Sequence, residues 1–118
     1  MLRTTRLIRL SDRSVLLERL ELATTFWSRF IGLQFRRSLA TDQGLLLQPC
    51  SSLHSCFMRF PIDVIMLDRE NRVLKVRRRL SPWRAMICVA GTEAIIETAV
   101  DAVELLPGEQ VSFDSPIK

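Results

Sequence analysis

The stretch Cys50-Ser51-Ser52-Leu53-His54-Ser55-Cys56-Phe57-Met58 holds the one histidine of the chain and two of its three cysteines. Two chemistries suit that set. Thiolate and imidazole are good zinc ligands, and a thiolate beside an imidazole is the pairing of cysteine nucleophiles. On a strand, His54 and Cys56 fall on the same face, two residues apart. A structural zinc site takes four ligands, however, and the chain has no C-x2-C pair, so Cys88 or Asp63 would have to complete it. The ligand count falls short. No metal and no cofactor are expected, and Cys50 and Cys56 read as small buried apolar residues.

A catalytic version would use Cys50 or Cys56 as nucleophile, His54 as base and Asp63 to orient it. No nucleophile-elbow signature accompanies these residues. A small hydrolase- or transferase-like enzyme built on this Cys/His pair is therefore the alternative, and the balance leans against an enzyme. Asp63 lies inside Pro61-Ile62-Asp63-Val64-Ile65, where a charge needs a partner. Arg29 is the expected partner, in a structural ion pair between helix and sheet. Asp68 is expected to shape its own turn. The leading expectation is a ligand-binding site near residues 50–63, with His54, Cys56, Met58, Asp63 and Trp83 as its candidate residues.

The elements that must hold these residues are mostly strands. Thr4–Leu10 and Ser14–Leu22 form a hairpin around Ser11-Asp12-Arg13, with Leu20 and Leu22 alternating against Arg19 and Glu21. Phe26, Phe30 and Leu33 recur at i, i+4, i+7, which predicts an amphipathic helix over 24–35 capped by Thr24 or Thr25. Leu45–Leu47 is a short strand ended by Pro49. Ile62–Leu67 is nearly all apolar, the mark of a central strand covered on both faces. Asp68–Arg72 is a turn in which Asn71 suits a left-handed conformation, and Val73–Val76 returns beside it. Ile87–Ala90, Thr92–Thr98 and Val111–Phe113 complete the strands, with Ala99–Leu106 a short helix or turn.

Composition narrows the class. A chain of 118 residues, 47% hydrophobic, is one domain able to fold without disulfide or metal staples. No apolar run approaches the roughly 20 residues of a membrane span. Arg3, Arg6 and Arg9 interrupt the N-terminus, unlike a secretory signal, so the cytoplasm is expected, with reduced thiols. The net charge of +4 comes from fifteen arginines against two lysines. Arginine suits phosphate, but Lys75, Arg77 and Arg79 alternate as on a solvated strand face. Trp83 is the only aromatic beside them, so a nucleic-acid surface is disfavoured.

In order along the chain, the run Arg29-Phe30-Ile31-Gly32-Leu33, then Gly44-Leu45-Leu46, Pro49-Cys50 and Leu53-His54-Ser55-Cys56-Phe57-Met58 resembles the domain of unknown function 192 family. Pro61-Ile62-Asp63, Leu67-Asp68, Pro82-Trp83 and Pro107-Gly108-Glu109 before Val111 continue the resemblance, which spans about residues 23–113. Two departures stand out: Gln34 where the family usually has methionine, and Glu97-Thr98-Ala99-Val100 where it usually has Leu-Pro-Ala-Gly. The family is uncharacterised, and the resemblance implies a compact β-sandwich or jelly-roll-like domain. Together these readings predict a mainly β single domain, sandwich or partly closed barrel, with one helix near 24–35. The expected role is an accessory or binding module for a small molecule or protein partner, monomeric or weakly self-associating and off the membrane.

Overall fold

The computed structural model describes residues 3–23, 38–50, 52–54 and 60–114, with only the backbone given for 52–54. Among the described residues nine strands follow one another: β1 Arg3–Arg9, β2 Val15–Ala23, β3 Gln43–Leu47, β4 Ser52–His54, β5 Ile62–Leu67, β6 Val73–Leu80, β7 Ala85–Ile87, β8 Ala94–Ala99 and β9 Val111–Asp114. Seven of them form one sheet in the order β6-β5-β8-β3-β2-β1-β9, and β4 and β7 form a separate two-stranded ribbon. Within the large sheet, β2 and β3 are parallel and the other pairs are antiparallel.

Burial explains why β5, β8 and β3 lie in the middle. All six residues of β5 are buried, as are Ala94–Thr98 of β8 and Gly44–Leu47 of β3. A strand that is apolar on both faces needs cover on both sides. The inner cover is a core of Leu7, Leu17, Leu20, Leu46, Ile65, Leu67, Ile96, Val103, Leu105 and Val111. The outer core gathers Leu45, Leu47, Ile62, Val64, Met66, Leu80, Cys88 and Ile95. Alternation along each strand sends odd and even residues to opposite cores.

The sheet curls until its two end strands meet. Arg72 bridges Gln110, the Val73 amide donates to the Glu109 carbonyl at 2.8 Å, and the Val111 amide donates to Asn71 at 3.0 Å. Residues 100–108 strap the open side, carrying Val103 and Leu105 into the inner core. Arg9 ties this strap down by donating to the Glu104 carbonyl and, at 3.1 Å, to Glu109.

This architecture corrects the sandwich expectation. A sandwich of two full sheets would give each strand one wet face, whereas here one curled half-barrel sheet wraps one core and carries a second on its back. The expected helix is not found either: the described residues contain no helix, and the stretch 24–35 lies outside them. Residues 99–106 form a turn and an extended strap, with Asp101 in the left-handed region at φ 62°. No helix among the described residues is long and apolar enough to cross a membrane.

Gly44 is required by close approach. A Cβ there would sit 2.7 Å from Leu17 Cδ1 and 3.1 Å from the Glu97 carbonyl oxygen. A side chain there would push the end of Leu17 aside and make the Glu97 backbone give by a few tenths of an ångström.

Candidate functional site

Asp63 is the most heavily engaged of the expected site residues. The register of β5 against β6 slips between Ile62 and Val64, so β6 has an extra residue there. Such a bulge turns backbone groups out of the ladder, and Arg79 within it has φ 53°. The Asp63 carboxylate, 2% exposed, fills the gap. It accepts from the Arg79 amide at 2.9 Å, the Asp101 amide at 3.0 Å and the Arg78 guanidinium at 3.0 Å. Arg79 in turn reaches Asp101 at 3.2 Å. One carboxylate thus fastens β5, the bulge of β6 and the turn after β8. Arg29, its expected partner, lies outside the described residues. With both oxygens occupied by structural donors, Asp63 acts here as an anchor.

The β4–β7 ribbon carries the remaining candidates. Its rungs are Ser52↔Ile87, Leu53↔Met86 and His54↔Ala85, so the His54 backbone lies two residues along from Trp83. The side chain of His54 and the whole of Cys56 and Met58 lie outside the described residues. Cys50 and Cys88 flank the opposite end of the ribbon and pack in the same outer core. Both carry thiols. Burial pushes the Cys88 thiol above its ordinary value of 9.0, and the nearby Cys50 adds to the effect. A thiol so protected is a poor nucleophile. Among the described residues no group of three His, Cys, Asp or Glu side chains could hold a metal ion.

The segment 83–89, which contains β7, is two-faced. Met86 packs on the outer core and Cys88 is buried, while Trp83, Ile87 and Val89 point outward, 63%, 87% and 36% exposed. Trp83 itself sits at φ 64°. Pro82 stands before it, and a positive φ of this kind is normally taken by glycine or asparagine. A bulky aromatic held there is strained by about 1–2 kcal/mol. Strain of this kind points towards use.

Sequence reasoning did not foresee the burial of Glu97. It is 1% exposed, placed between Leu45 of β3 and Val64 of β5 in the middle of the outer face. The signal was a lone charge after Ala94-Ile95-Ile96.

Matched against known families, residues 8–113 fit the model of domain of unknown function 192, an uncharacterized ACR family. The chain belongs to the DUF192 family. A UPF0127 protein of Thermococcus sibiricus is 34% identical over 95 residues, covering 77% of this chain and 61% of its own length. This DUF192 chain therefore spans about three-fifths of that relative. A crystal structure of a protein of unknown function from Novosphingobium aromaticivorans superposes with a TM-score of 0.79 at 22% identity, covering 94% of this chain and 84% of the other. A proposed transcription regulator of Sinorhizobium meliloti superposes with the same TM-score at 21% identity, over 95% of each chain. At such identities the two structures share the fold with this DUF192 domain.

Proposed function

We propose that this DUF192 domain is a cytoplasmic binding module that takes an extended, acidic segment of a partner protein along β7. One observation carries the reading: Ile87 of β7, with Trp83 before the strand and Val89 after it, is turned to solvent, while Met86 between them packs on the outer core. Among the described strands β7 pairs with β4 alone, so its second edge offers backbone donors and acceptors for strand addition. Alternating apolar side chains on the incoming strand would meet the outward face. Exposed Arg77 and Arg84, before and after the turn, favour acidic flanks on the partner. Covering Ile87 alone contributes about 2 kcal/mol. Thiols at Cys50 and Cys88 fit a reducing compartment.

The test is selection from a displayed random-peptide library on the wild-type domain and on Ile87→Ser and Trp83→Ser. Enriched peptides should alternate apolar residues between acidic ones and bind Ile87→Ser at least about tenfold more weakly. Equal binding to all three proteins overturns the reading. So does a wild-type dimer that Ile87→Ser dissociates, since a second copy would then be the occupant. Salt-sensitive binding of duplex DNA that survives both substitutions would also defeat it.

A further inference from the structure

A second cleft, away from β7, lies where β1, β2 and β9 run side by side. Ile8 of β1 faces Val15 of β2 on one side and Ser112 of β9 on the other, and Arg6 faces Asp114. The cleft has a volume of about 450 Å³, and Arg6, Ile8, Arg13, Val15, Ser112 and Asp114 line it. That is within the usual range for small-ligand pockets, about 300–1,000 Å³. Its lining is mainly polar, with Phe113 of the inner core also reaching it; the aliphatic part is Ile8, which is buried and belongs to neither core, and Val15, which is 44% exposed. Arg13 stands at its rim, its backbone held at φ 64° by donation of its amide to the Arg9 carbonyl at 2.8 Å.

Arg6 is only partly satisfied. Its Nη2 meets Asp114 Oδ2, yet the adjacent Nε, cut off from solvent, meets no acceptor. Nε–H and Nη2–H are parallel donors on one side of the guanidinium, a fork that matches the two oxygens of a carboxylate. Asp114 uses one prong. Its side chain is 57% exposed, so it is free to swing into water. Two guanidiniums against one carboxylate leave the cleft with a single positive charge.

We propose that this cleft binds a small monocarboxylate with a short apolar body, its carboxylate gripping Arg6 side-on at Nε and Nη2 in place of Asp114. The apolar body lies on Ile8 and Val15, and Arg13 closes over the bound charge. Asp114 is thus a built-in competitor, which sets this site apart from general anion attraction by a basic protein.

Titration with sodium hexanoate, followed by nitrogen–proton NMR that includes the arginine Nε–H signals, tests this. A saturating shift at Arg6 Nε–H with matching shifts at Ile8 and Ser112 is expected. Asp114→Asn should bind roughly two- to fivefold more tightly, because the resident carboxylate is removed. Arg6→Gln should bind at least about tenfold more weakly, and Arg13→Asn, which suits a left-handed backbone, should weaken binding more modestly. If Arg6→Gln perturbs the fold, Asp114→Asn decides: unchanged or weaker binding there overturns the proposal. Equal shifts from inorganic phosphate or sodium chloride at matched ionic strength overturn it too, as do shifts spread evenly over Arg77 and Arg84.

Discussion

Removing the Asp63 carboxylate separates two sources of its stabilisation. Its three donors among the described residues are unequal. Arg78 is 42% exposed along its side chain and can turn to water, so its ion pair contributes no more than about 1 kcal/mol. The amides of Arg79 and Asp101 point at a carboxylate sealed from solvent, and both residues have positive φ. Each amide left without an acceptor costs about 1–3 kcal/mol. Asp63→Ala should therefore destabilise by about 4 kcal/mol and Arg78→Ala by at most about 1 kcal/mol. Asp63→Asn, which keeps one acceptor oxygen and turns an NH2 towards a donor, should fall between them. With a urea slope of about 2 kcal/mol/M, the Asp63→Ala midpoint drops by about 2 M and the Arg78→Ala midpoint by no more than about 0.5 M. Equilibrium unfolding followed by circular dichroism reads both. Equal losses for the two variants, or an Asp63→Ala shift under about 0.5 M, would refute the assignment of stability to the backbone donors.

Gly44→Ala should destabilise by about 1–3 kcal/mol by overpacking, because the new methyl meets Leu17 and the Glu97 backbone. Combining it with Leu17→Ala should recover part of the loss in the same unfolding assay. The Cys88 thiol should react far more slowly than Cys50 with a thiol reagent at pH 8, and comparable rates would contradict its burial. Because its folded value is raised, the unfolded chain sheds that proton first. Stability should be unaffected well below the ordinary value of 9.0 and should fall as pH rises from there through the folded value. Cys88→Ala should flatten that fall in unfolding curves collected between pH 8 and 10.

Local chemistry was legible. Ile62–Leu67 is the fully covered strand that its apolar run predicts. Asp68 accepts the Glu70 and Arg72 amides at 2.8 and 3.0 Å, and Asn71 takes φ 63°, as a polar turn requires. What the sequence hid is non-local. Nothing in the order of residues places β8 between β5 and β3, so neither the burial of Glu97 nor the reach of Asp63 to Asp101 could be read from spacing. The alternation of Lys75, Arg77 and Arg79 suggests one plain face, but a single extra residue breaks it and turns Arg78 towards Asp63. The two-sheet expectation failed for a related reason: strand count fixes neither curl nor closure, which here rest on Arg72 meeting Gln110. Of the expected ligand set, Asp63 accepts the Arg79 and Asp101 amides, and Trp83 is exposed. The rest of that set lies beyond the described residues.

The pairing of β1 with β9, Arg6 opposite Asp114 and Arg9 opposite Val111, has a consequence for biosynthesis. β1 leaves the ribosome with one edge claimed early by β2, while its other edge waits until β9, from Val111 onward, has been made. At about 5–20 residues per second, that wait lasts roughly 5–20 s. Throughout it, β1 exposes a free ladder to any neighbouring nascent chain, the kind of edge that recruits wrong partners. Charge at every third position of that strand, at Arg3, Arg6 and Arg9, is a means of keeping such strangers away until β9 arrives.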